Sequence, residues 1–236
     1  MSHSYRYVRA CAWGGPILLV ASIIFWALLG RNMPPYSAAL DAQTFADRFR
    51  ADSFQIRIGM IGELVFTVFY LTWGVAISKV MEAVERGNNV LSTLQIWGAG
   101  FTTVIFALAC TTWLTGTFRA ETMSPEISQM LYDLGWIQFD MAFTLTTLQL
   151  LALGVCFLSD RRSEPLFPRW VSWYSIWVGF LFFSLALMPF FKSGPFSRSG
   201  IINYWVEFPA FFLFMAAVSA YLFKAIGRLE REAAKA

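Results

Sequence analysis

The sequence predicts an all-α fold: a polytopic integral membrane bundle of six transmembrane helices, with short amphipathic helices in the outer loops. Three observations carry this expectation. Six apolar runs, at about 13–30, 57–80, 91–117, 136–158, 170–191 and 203–223, are each close to or beyond the roughly 20 residues that cross a hydrocarbon core. Hydrophobic residues make up 57% of the chain and charged residues only 14%, against about 25% charge in a soluble domain. The mean hydropathy of +0.55 agrees. Third, the runs are separated by polar segments carrying Pro, Gly or basic residues, so that one membrane domain, 1–236, uses the whole chain.

The elements follow in order. Residues 1–12 read as a short tail with Arg6 and Arg9, before a first span retained in the protein; no small-residue cleavage pattern follows that run. Pro16 is tolerated in a first helical turn. The longest polar segment, 31–56, opens with the stiff Pro34-Pro35 pair. It then places Ala42, Phe45, Ala46 and Phe49 at helical spacing opposite Asp47, Arg48 and Arg50. That pattern predicts a short amphipathic helix on the membrane surface or capping the bundle.

Span two follows, and Gly87-Asn88-Asn89 breaks the chain before span three, which is rich in threonine. Ser124-Pro125-Glu126 is a helix start, with Ser as cap and Pro at the first position. Gly135 is expected to close or bend that small helix before span four. Span five opens on Trp170, Trp173, Tyr174 and Trp177, an interfacial aromatic cluster, and Pro189 is placed to kink its end. The loop 192–202 is glycine-containing and reads as mobile. A charged tail follows span six.

Six crossings put both termini on one side. Eleven of the 18 Lys and Arg fall on that side and seven on the other. The bias predicts cytoplasmic termini, in an arrangement typical of a bacterial inner (plasma) membrane.

Composition excludes several classes. No basic block suggests nucleic acid. The single histidine, His3, lies in the tail, so bis-histidine haem, copper and His-rich di-iron centres lack ligands. Lysines fall near span ends, which disfavours a retinal Schiff base. Cys11, Cys110 and Cys156 have neither metal nor disulfide spacing. No P-loop, dinucleotide fingerprint, metalloprotease helix or nucleophile elbow is present. No cofactor and no metal is expected.

One polar constellation remains. Glu63, Asp140 and Glu207 lie inside spans two, four and six, a turn or two from the same membrane face. A charge at mid-helix costs about 2.5–3.5 kcal/mol on insertion scales for Asp, Lys or Arg, so an intramembrane acid marks a functional hypothesis. Each acid heads a stripe at helical spacing: Glu63, Thr67 and Tyr70; Asp140 and Thr144, with Asp133 above; Asn203 and Glu207, with Trp205 beside them. With Trp136, these residues are expected to line an outward-facing cavity, and Arg57, Arg119 and Lys192 are the candidate counter-charges at its rim.

The favoured reading is binding or transport of a small apolar or amphipathic molecule, with aromatic walls for its body and the carboxylates for a polar head or a coupling proton. A non-catalytic accessory subunit of a larger membrane complex is the first alternative; the acids would then only lock the bundle. An acid–base isomerase or hydratase using Asp140 and Glu63 on a lipid-like substrate is the second, and an enzymatic role has the least support. The bilayer is the expected surrounding, with a membrane-complex partner or a second copy as further contacts.

Overall fold

A computed structural model describes residues 3–235, with side chains from Tyr5 onward. Six helical segments are long and apolar enough to cross a membrane: Tyr5–Leu29, Ala42–Glu85, Val90–Phe118, Pro125–Leu158, Arg169–Phe190 and Ile201–Lys235. The chain is therefore an integral membrane protein with an all-α bundle of six crossings. Its first and last helices run side by side at one end, where Arg9 is ion-paired with Glu230. This end, called the tail end below, also holds the links after Glu85 and Leu158. The loops after Leu29, Phe118 and Phe190 lie at the opposite, far end.

The helices extend further than their apolar runs. The first begins at His3, because Tyr5, Val8 and Cys11 pack against the core. The segment expected as a separate short helix, on the membrane surface or capping the bundle, is instead the start of the second crossing. Asp41 caps it through Thr44 N at 2.9 Å, and the helix runs unbroken from Ala42 to Phe66. Its apolar face behaves as the spacing implies, with Phe45, Ala46 and Phe49 buried, but against the neighbouring helices of the same bundle. Pro125–Met141 likewise runs straight through Gly135. That glycine does not stop the helix; it admits the Trp113 indole, whose Nε1 would lie 2.3 Å from a Cβ there. The sixth helix takes in the charged tail as far as Lys235.

Five of the six crossings depart from α geometry part-way along. The first turns into a π-helix over Ser22–Leu29, the second breaks at Thr67 and the fourth at Ala142. The fifth tightens to a 3-10 helix over Phe182–Phe190, and the sixth opens with a π-helix over Ile201–Val206. Only the third, Val90–Phe118, is a continuous α-helix. Irregular backbone at membrane depth is tolerated where it is buried in protein or lines a cavity, and these departures fall near the three acids.

Two apolar cores flank that level. The tail-end core is built on Trp73, Leu150, Phe157, Phe214 and their neighbours. The far-end core is largely aromatic, with Trp26, Trp113, Trp136, Tyr132, Phe45 and Phe49. Other tryptophans face outward: Trp13, Trp97, Trp170, Trp173 and Trp177 are all exposed, as interfacial and lipid-facing residues should be.

Gly14 and Gly15 bring the first crossing onto the second. A Cβ on Gly14 would sit 2.4 Å from the Phe69 carbonyl oxygen, and one on Gly15 2.5 Å from Trp73 Nε1. The first obstacle is backbone and cannot rotate away. Gly14→Ala is expected to destabilise the bundle by about 1–3 kcal/mol, the usual range for overpacking. Unfolding by dodecyl sulfate titration in mixed micelles measures it, and an unchanged midpoint would refute the close approach.

Candidate functional site

The three intramembrane acids are all buried: Glu63 is 4% exposed, Asp140 3% and Glu207 4%. None belongs to an ion pair among the described residues. Ser22 Oγ donates to Glu63 Oε1 at 2.8 Å, possible because the π-turn aims Ser22 inward. Glu63 Oε2 and Glu207 Oε2 have no protein donor. Unpaired acceptors at this depth are expensive unless a bound water or ligand reaches them.

Asp140 and Glu207 line one cavity of about 40 Å³ with Thr146 and the rings of Phe106, Phe139, Phe143, Phe182, Phe208 and Phe211. The two carboxyl groups are close enough to act on each other electrostatically. Glu63 lines a second cavity of about 30 Å³ with Ser22 and Trp26. Phe106, Phe139, Phe208 and Phe211 line both spaces, so these four rings form a partition between Glu63 and the other two acids. At roughly 10–15 Å³ for one water, each space takes a few waters or a small polar head.

The partition is tightly stacked. Phe106 and Phe139 lie 4.9 Å apart between centroids, and Phe139 stacks on Trp26 at 5.6 Å. Phe208 stacks on Trp26 at 4.9 Å. Above them Trp136 packs against Trp26, Trp113 and Phe208. It belongs to the aromatic layer roofing the cavities, and its buried indole N–H has no protein acceptor.

The remaining expected site residues divide. Thr67 is buried at the helix break, its hydroxyl without a partner, and lines neither cavity. Tyr70 is buried one turn further toward the tail end, donating to Gln149 Oε1 at 2.9 Å. Asn203 is buried and its Nδ2 donates to the Phe196 carbonyl at 2.7 Å, so it ties down the preceding loop. Two expectations are corrected. Thr144 is exposed, because the break at Ala142 rotates everything after it and puts Thr146 on the inner face. Trp205 is 46% exposed, because it stands two residues before Glu207, more than half a helical turn away, and so points to the opposite face.

The expected counter-charges are corrected as well. Arg57 donates to the Thr117 carbonyl at 2.7 Å and thereby caps the end of the third helix. Arg119 is exposed over the Phe118 ring, and Lys192 is exposed. The buried cation is Arg198, only 3% exposed, from the loop expected to be mobile. Its Nε donates to the Tyr36 carbonyl at 2.7 Å, its Nη1 pairs with Asp133, and its guanidinium lies 4.9 Å from the Tyr132 ring centroid. Its charge acts on Asp140. Tyr36, in the loop it holds, also binds Asp52; burial and that carboxylate push its phenol well above the usual range, which keeps it a donor.

The acid–base pair expected from sequence, Asp140 with Glu63, is separated by the phenylalanine partition; the companion of Asp140 is Glu207. Ser22, Thr146 and the partition rings escaped the sequence reading. A signal for the rings was present: Phe139 precedes Asp140 and Phe208 follows Glu207. No protein-family model, curated protein or solved structure matches the chain.

Proposed function

We propose that the protein binds, and carries across the membrane, a small amphipathic molecule whose polar head donates hydrogen bonds or positive charge to Asp140 and Glu207. The observation that carries this reading is the pair of buried, ion-pair-free carboxylates in one space walled by phenylalanines. Carboxylate oxygens supply acceptors and negative charge; ring faces attract a cation and tolerate an apolar body. An amine fits this chemistry better than an alcohol or an acid. The present space suits the head alone, so an apolar body requires the partition rings to turn aside.

Trp26 and Trp136 adjoin the site and supply a reporter. Titrating purified protein in nanodiscs with a series of primary alkylamines, and with the matching alcohols, is expected to change tryptophan emission saturably for the amines. Glu207→Gln and Asp140→Asn are each expected to weaken amine binding about 10–100-fold, the loss of a hydrogen bond to a charged group at about 1.5–3 kcal/mol. Saturable binding that neither substitution alters would remove the carboxylates from recognition. A stoichiometric partner retained in mild detergent, with no binding of any amphiphile, would favour the accessory-subunit reading.

A further inference from the structure

Beneath the acid cavity, a line of buried polar side chains continues toward the tail end. Thr146 begins it: its side chain lines the cavity, and its Oγ1 lies 3.1 Å from Thr102 Oγ1 on the third helix. Gln149 follows one turn lower on the fourth helix, accepting from Tyr70. On the third helix Thr102, Gln95 and Ser92 share one face, at spacings of seven and three residues. All are buried, and Gln95 is fully so. At the bottom, the Ser92 hydroxyl donates to the Asn89 carbonyl at 3.3 Å and the Ser92 backbone N–H fixes the Glu85 carboxylate at 3.0 Å. Glu85 lines an open polar cleft with Arg86, Ser159 and Asp160, where solvent completes the last step.

Two features set this line apart from ordinary helix-to-helix bonding. Both amide atoms of Gln95 and the Nε2 of Gln149 have no protein partner although they are buried. Buried amides are normally satisfied, by protein or by ordered water, so these groups call for water between them. The two directions also differ. Toward the far end buried polar groups are present as well, with Asn203 near Glu207 and with Tyr204 and Tyr132 both bonded to Asn32. They stand among stacked aromatic rings and beside the fixed positive charge of Arg198, and a fixed cation on the route repels protons.

We propose that Thr146, Thr102, Gln149, Tyr70, Gln95 and Ser92 form a proton file that connects Asp140 and Glu207 to the tail-end surface. A proton leaving a carboxyl group passes to the Thr146 hydroxyl or an adjacent water. It moves on by exchange along hydroxyls and amide-held waters and is released to solvent at the Glu85 cleft; uptake reverses the path. The file goes beyond solute binding and stands whether or not an amine occupies the cavity.

Infrared spectroscopy of protein in nanodiscs tests it. At acidic pH, the carboxylic C=O band removed by Asp140→Asn or Glu207→Gln is followed after a switch to deuterated buffer. Exchange is expected within the mixing time in the wild type and at least tenfold more slowly in Gln95→Met and Gln149→Met. The near-isosteric Thr102→Val should also slow it, and carries the test if a methionine variant fails to give a monodisperse protein. Thr111→Val, on an exposed face, should leave it unchanged. In sealed vesicles sorted by accessibility of the C-terminal tail, a pH jump on the tail side should act at least tenfold faster than one on the other side. Exchange unaltered in the file variants, faster access from the far side, or the absence of any band belonging to Asp140 or Glu207 would each overturn the proposal. Amine titration reads solute binding separately, so the two fail independently.

Discussion

Phe139→Ala is expected to destabilise the protein by about 2–3 kcal/mol and to join the two carboxylate cavities into one. Phe139 stacks on Phe106, Trp26 and Phe208 and lines both spaces. In soluble cores, Phe→Ala substitutions cost about 3–5 kcal/mol, the sum of a transfer part and a cavity part. A bundle unfolding within lipid keeps its phenylalanines in an apolar solvent, so the transfer part largely disappears and the packing part remains. Phe139→Leu keeps most of the volume and should cost less than about 1.5 kcal/mol. The joined space would bring Glu63 into contact with Asp140 and Glu207 and admit more water, so Trp26 emission should shift to the red. Dodecyl sulfate unfolding and emission spectra check both parts. A Phe139→Ala protein as stable as Phe139→Leu, with unchanged emission, would mean that the partition is not packed as described.

Arg198→Met is expected to cost about 2–4 kcal/mol. The substitution removes a charged donor to the Tyr36 carbonyl, worth about 1.5–3 kcal/mol, and a desolvated cation–π contact with Tyr132, worth about 2 kcal/mol at most. The pair with Asp133 adds little, because Asp133 is 41% exposed and keeps its hydration when Arg198 is gone. Asp133→Ala should therefore cost well under half as much. Arg198 also acts on Asp140, so the double variant with Asp140→Asn should depart from additivity by about 0.5–3 kcal/mol. Additive costs would confine Arg198 to anchoring the far-end loops.

Much of the architecture is legible in the chain. Apolar length alone places the six crossings, and the buried face of Phe45, Ala46 and Phe49 follows from helical spacing. Helix limits are less legible, because hydropathy reports contact with lipid and says little about where hydrogen bonding stops. Ala42–Phe66 and Glu207–Lys235 both continue well outside their apolar runs. The site is legible where single residues suffice, as with the three acids, and illegible where phase matters. Thr144 is counted from Asp140 at 3.6 residues per turn, and the break at Ala142 spoils that count. Trp205 is taken as a neighbour of Glu207 in the chain, but two residues along a helix is more than half a turn, which points it to the opposite face. Arg198 is missed because a short loop with Gly194 and Gly200 looks like solvent-exposed chain, whereas Ser197 and Arg198 fold inward. Gln95 and Gln149 stand in plain view among apolar residues; a search restricted to ionisable groups passes over neutral amides.

The unbroken third helix has a mechanical consequence. A regular α-helix resists bending, and pitch changes concentrate compliance at a few residues. Here five struts yield in the zone between about the acid level and the far end, while the remaining one serves as a mast. Any tilt of the far end against the tail end would hinge in that zone, and the carboxyl chamber at its edge would change shape with it.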